Sequence, residues 1–100
     1  MKTITPEELV KWMNEKISIQ LIDVRERYEH EDFNIGGTLI PLGELTQYLD
    51  NIEKELPVIV YCQKGIRSHI AIQRLENKFP FENLYHLIGG MDEWRRKITY

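Results

Sequence analysis

What this chain of 100 residues lacks limits what it can be. It has one cysteine, Cys62, so an internal disulfide and a two-cysteine redox pair are both excluded, and chemistry at that sulfur has no internal resolving thiol. Such sparing use of cysteine agrees with a reducing compartment, and the cytosol is the expected location. No apolar run exceeds Val58–Cys62, far short of the ~20 residues a membrane helix needs, so no membrane role is expected. The opening "MKTITPEELV" reaches a proline and two glutamates before any apolar segment develops, unlike a secretory signal. Basic residues form no block: 13 lysines and arginines stand against 16 acids, the formal charge is -3, and nucleic acid is not an expected partner. His30, His69 and His86 lack metal-ligand spacing, and beside a single cysteine they predict no metal site.

What is present suits one packed domain spanning 1–100. The hydrophobic content is 42%, and no repeat, low-complexity stretch or linker divides the chain. Thr5, Pro6 and Glu8 form an N-cap, a first-turn proline and an N3 glutamate, which predict a helix through "PEELVKWMNEK" with Leu9, Trp12 and Met13 inward. A short strand at Lys2–Ile4 precedes it. "SIQLIDV" reads as a buried strand, "RERYEHED" as a polar turn, and Gly36-Gly37 as a bend before the short strand "TLIPL". Leu45, Leu49 and Ile52 stand at helical spacing in "GELTQYLDNIEK". Pro57 then opens the strand "VIVYC", Ile70, Ile72 and Leu75 predict a helix to about Lys78, "NLYHLIGG" reads as a last strand, and "MDEWRRKI" as a closing helix. Strands alternating with helices imply an α/β fold, a mostly parallel sheet covered on both faces that places ligands at the carboxyl ends of its strands. Cys62 lies at such an end.

A cysteine between a strand and a helix N-terminus meets unpaired backbone N–H groups and the positive end of a helix dipole, a setting for a thiolate and for an anion beside it. Gly65 permits the torsions of such a cradle. Lys64 and Arg67 add positive charge, and Ser68 either caps the helix or bonds an atom attached to the sulfur. Most lone cysteines that end a strand are inert and buried, and the polar, glycine-containing segment that follows makes a nucleophile an equal reading here.

"YCQKGIRS" resembles the active-site loop of the rhodanese family, a cysteine followed three residues on by glycine and then often by Arg-Ser. "LIDVRERYEHEDFNIGGTLIPLGEL" is similar to the family's Asp-Val-Arg segment and Ile-x-Gly bend, and "HLIGGMDEWRR" to its Gly-Gly-x-x-x-Trp ending. One departure is Phe33-Asn34, where the family commonly has Gly-His; it bears on local packing more than on chemistry. The resemblance implies a rhodanese-like fold with a five-stranded sheet, and a sulfurtransferase. Cys62 would take the outer sulfur of an anionic donor such as thiosulfate as a persulfide, then yield it to cyanide, a thiol or a protein, with no cofactor. The loop Gln63, Lys64, Gly65, Ile66, Arg67, Ser68 would bind the donor and the outer sulfur. Asp23 would mainly organise the loop from the next strand end, and Arg25 faces the same end.

Several roles stay open at this level. Lys64 either meets the donor's sulfonate or is an ordinary solvated lysine, and Arg67 either binds the anion or, slightly favoured, pairs with a carboxylate and shapes the loop. Trp94 and Gly89-Gly90 read as packing and a turn. Among rival functions, cysteine phosphatases and arsenate reductases also hold a strand-end cysteine in an amide cradle with an arginine after it, but their signature is one residue longer than the four, Gln63 to Ile66, that separate Cys62 from Arg67. The tighter loop suits a sulfur atom better than a tetrahedral phosphate. Two more rivals keep the same fold: a persulfide carrier serving a protein acceptor, and a protein-docking module.

Overall fold

Apolar residues on consecutive positions of a strand bury both of its faces, and such a strand belongs in the middle of a parallel sheet. Val58–Tyr61 is that strand. In the computed structural model, which describes residues 1–98, the strands are β1 (Lys2–Ile4), β2 (Gln20–Asp23), β3 (Thr38–Leu39), β4 (Val58–Tyr61) and β5 (Leu84–Leu87). They form one parallel sheet in the order β1-β5-β4-β2-β3. Helices α1 (Pro6–Asn14), α2 (Arg27–Asp32), α3 (Ile66–Lys78) and α4 (Gly90–Lys97) and a 3-10 helix (Leu42–Asn51) connect the strands. Among the described residues no helix is long and apolar enough to cross a membrane.

The pleat of β4 divides the core. Val58, Val60 and Cys62 join the cluster under α3 and the 3-10 helix, while Ile59 and Tyr61 join the cluster under α1 and α4 with Leu9, Met91 and Trp94. All four residues of β4 are fully buried. On α3 the buried positions are Ser68, Ala71, Ile72 and Leu75, a stripe at helical spacing whose first member is polar and lies beside Cys62. The expected cap of α1 is present: the Thr5 hydroxyl accepts the Glu8 N–H at 3.1 Å and the Glu8 carboxylate accepts the Thr5 N–H at 2.9 Å.

Two segments differ from the sequence reading. "RERYEHED" is not merely a polar turn: it contains α2, a short helix with no buried residue, whose first turn is tied by the Glu26 N–H to the Glu29 carboxylate at 3.0 Å. With no apolar stripe it leaves no periodic trace in the sequence. "GELTQYLDNIEK" is not one α-helix: as far as Asn51 it lies in the 3-10 helix, with non-helical torsions at Tyr48. Leu42 and Leu45 are three apart, as are Leu49 and Ile52, which matches a period of three on each side of that kink.

Candidate active site

The chain leaves β4 at Cys62 and reverses into α3 through Gln63–Gly65. Gly65 holds φ +103°, a torsion that L side chains rarely adopt, and this turn aims two backbone N–H groups at the sulfur. Gly65 N lies 3.1 Å and Ser68 N 3.3 Å from Cys62 Sγ. The Ser68 hydroxyl is 3.4 Å from Sγ and donates to the Gly65 carbonyl at 3.2 Å. Cys62 is only 1% exposed, yet it floors an open cleft of about 210 Å³ lined by Glu29, Gln63, Lys64, Ile66 and Arg67. A group reaching the sulfur therefore enters between the loop and α2.

Every loop residue picked out by sequence is near this cleft, but the side chains play different parts. Arg67 makes a two-pronged contact with Glu29 of α2 at 2.7 and 2.8 Å, and that guanidinium holds the Glu29 carboxyl down to about 2. Lys64 is exposed at the rim and joins no ion pair among the described residues. Gln63 donates to the Asp92 carboxylate at 2.6 Å and accepts from Arg25 Nη1 at 2.8 Å, so its amide ties α4 to the segment that follows β2. Ile66 is 67% exposed.

Asp23 and Arg25 stand below the loop, both buried. Asp23 accepts from Arg25 Nε at 2.9 Å, Arg25 Nη2 at 2.8 Å, the Arg25 backbone N–H at 3.0 Å and His30 Nδ1 at 2.9 Å. Arg25 also donates to the Phe33 carbonyl. Phe33 and Asn34, the departure from the family pattern, are well accommodated: Phe33 packs on the core beneath Arg95, and Asn34 donates to the His30 carbonyl at the end of α2. Neither Asp23 nor Arg25 contacts the sulfur among the described residues; they act on the loop through Gln63.

Three contributors were not legible in the sequence. Glu29 was hidden because α2 has no apolar stripe. Gly89-Gly90 does more than turn the chain, because the first turn of α4 donates to the loop itself, Met91 N to the Cys62 carbonyl at 2.9 Å and Asp92 N to the Gln63 carbonyl at 3.0 Å. A Cβ on Gly90 would stand 2.3 Å from the Cys62 carbonyl oxygen, so only glycine permits that approach. His86 of β5 brings Nε2 to 2.9 Å from the Gly65 carbonyl. A carbonyl only accepts, so Nε2 carries the proton, and burial lowers the His86 pKa.

A cysteine sulfur in a backbone cradle at the carboxyl end of a central parallel strand agrees with what comparison finds. Residues 5–97 match the Rhodanese-like domain. The chain belongs to the rhodanese-like family. It is 41% identical over 99 residues to the uncharacterized protein YqhL of Bacillus subtilis, a match covering 98% of this chain and 75% of that one. It is 37% identical over 89 residues to the thiosulfate sulfurtransferase GlpE of Coxiella burnetii, covering 88% and 78% respectively. The crystal structure of a rhodanese-related protein from Thermoplasma volcanium superposes with a TM-score of 0.85 over 97% of this chain and 93% of that one, at 24% identity, a likeness of fold. The rhodanese-like α/β fold and its five-stranded parallel sheet are thus both present in this chain.

Proposed function

We propose that this rhodanese-like chain moves a sulfane sulfur from thiosulfate or another persulfide donor to a thiophilic acceptor, with Cys62 as the carrier. The observation that carries the reading is the pair of N–H groups, Gly65 and Ser68, directed at a sulfur on the floor of an open cleft. The Cys62 thiolate attacks the outer sulfur of thiosulfate; a new S–S bond forms, the donor's S–S bond breaks, and its electron pair leaves on sulfite. Cyanide or a thiolate then attacks the same outer sulfur and the electron pair returns to Cys62. No redox partner is consumed, and one difficult transfer becomes two displacements.

The loop is suited to the charge that this places on the outer sulfur. Among the described residues the N–H groups of Lys64, Ile66 and Arg67 have no acceptor, which leaves them for the added atom. Lys64, exposed at the rim, serves the donor's sulfonate. Arg67, committed to Glu29, shapes the wall, and Asp23 and Arg25 keep Gln63 in place.

Thiocyanate release from thiosulfate and cyanide, measured for the protein and for Cys62→Ser, tests this, together with the mass of each protein after thiosulfate alone. Turnover confined to the wild type, with a gain of one sulfur in mass, is the expected result. No turnover and no added mass overturns the thiosulfate reading. A second reading concerns the acceptor. Ile66 is 67% exposed at the mouth of the cleft, and an apolar side chain held out to water there suits a protein thiol better than a small one. The same assay with a protein thiol in place of cyanide separates the two.

A further inference from the structure

The cradle depends on where each peptide unit of the loop points. None of the described peptide bonds is cis, and in a trans unit the N–H points opposite the C=O. Fixing a carbonyl on one side therefore aims the next residue's N–H to the other. Three loop carbonyls are fixed from outside the loop. Met91 N holds that of Cys62 and Asp92 N that of Gln63, both from the backbone of α4. The third, Gly65, accepts from His86 Nε2 at 2.9 Å as well as from the Ser68 hydroxyl and His69 N at 3.2 Å each. Among the described residues it is the one loop carbonyl held by a side chain from another strand.

The N–H that shares a peptide unit with the Gly65 carbonyl is that of Ile66, which lines the cleft. We propose that His86 is a positioning residue for sulfur transfer: its Nε2–H fixes the Gly65–Ile66 peptide so that the Ile66 N–H points at the outer sulfur on Cys62. The inference rests on the persulfide reading. The alternation of β5 supports it, because Leu84 belongs to the core under α3, Tyr85 and Leu87 to the opposite face, and His86 therefore rises on the α3 side. There its ring lies beneath the loop, and a Cβ on Gly65 would stand 3.3 Å from Nε2. His69 closes the far side of the imidazole, edge to face at 5.7 Å between ring centres. The ring is thus wedged between a helix and a strand with one polar task toward the loop.

The test compares the wild type with His86→Leu, which keeps bulk without a donor, and with His86→Gln, whose side-chain amide can supply an N–H in place of Nε2. Removing an oxyanion-type donor outright lowers turnover about 100-fold or more. Here the Ile66 donor remains and loses only its aim, so His86→Leu is expected to lower kcat about tenfold with KM for thiosulfate little changed, and to shorten the lifetime of the isolated persulfide. His86→Gln is expected to recover kcat to within about threefold of the wild type. In the 15N-labelled wild type, persulfide formation is expected to move the Ile66 amide proton downfield, and less so in His86→Leu. Wild-type kcat and persulfide lifetime in His86→Leu, or a His86→Gln as slow as His86→Leu, would overturn the inference. An Ile66 amide that does not respond in the wild type would do so whether or not either variant folds. If the wild type acquires no persulfide mass at all, the reading beneath falls and this inference with it, an outcome distinct from any failure confined to the variants.

Discussion

Two charged pairs brace the Cys62 loop, and water reaches them differently. Asp23–Arg25 is sealed, with side chains 0% and 1% exposed, whereas Glu29–Arg67 is half open, at 14% and 34%. The sealed pair has every prong engaged: the Asp23 carboxylate takes four donors, and Arg25 goes on to Gln63 and Phe33. The open pair is a single fork between α2 and α3. A buried pair stabilises little beyond what an apolar replacement would give, yet breaking it leaves a charge stranded in the interior. The sealed pair is thus a device for position, and the open pair a partly solvated wall of the cleft.

The largest effect should come from stranding Arg25. Asp23→Asn is expected to destabilise the fold by about 3–5 kcal/mol, read from the urea midpoint, and a paired apolar replacement, Asp23→Leu with Arg25→Met, to recover much of that loss while leaving Gln63 held by Asp92 alone and turnover lowered. If the single variant matches the wild type in urea, the two pairs do not differ as described.

Glu29→Gln should destabilise by about 1 kcal/mol, because Arg67 is partly exposed and water screens the fork. Its sharper signature is in acid. The Glu29 carboxyl, ordinarily near 4.5, titrates at about 2 in the fold, so its contribution is fully present above about pH 4.5 and is lost as pH falls through about 2. Urea midpoints measured from pH 5 down to 2 should fall less in Glu29→Gln than in the wild type. The smallest effect is that of salt. At about 1 M the screening length is ~3 Å, so added sodium chloride should narrow the gap between wild type and Glu29→Gln while leaving the deficit of Asp23→Asn almost unchanged.

The parts of this molecule that were legible in the sequence are those where one residue's chemistry acts locally. Thr5, Pro6 and Glu8 predicted a cap that the structure contains, and the apolar run before Cys62 predicted the central strand. Asp23, Arg25 and Cys62 were placed at one end of the sheet by strand direction alone. What stayed hidden depends on contacts between distant segments. Glu29 faces Arg67 across 38 positions from a helix with no apolar stripe, and His86 reaches Gly65 across 21. No spacing rule within one element reports such pairs. The kink at Tyr48 was hidden for another reason, since leucines three and four apart fit both an α-helix and two short 3-10 turns.

One consequence of the central strand concerns time. Backbone amides in a strand with structure on both sides and both faces buried are among the last to exchange with solvent, because they open only when the whole domain does. β4 is such a strand, between β5 and β2, and Cys62 follows its last residue. The Cys62 sulfur therefore follows directly on the part of the chain expected to open last, while Lys64 and Ile66, at the mouth of the cleft, belong to the surface. A side chain so anchored is expected to hold its place on the timescale of global unfolding, and adaptation to a molecule entering the cleft falls to the rim.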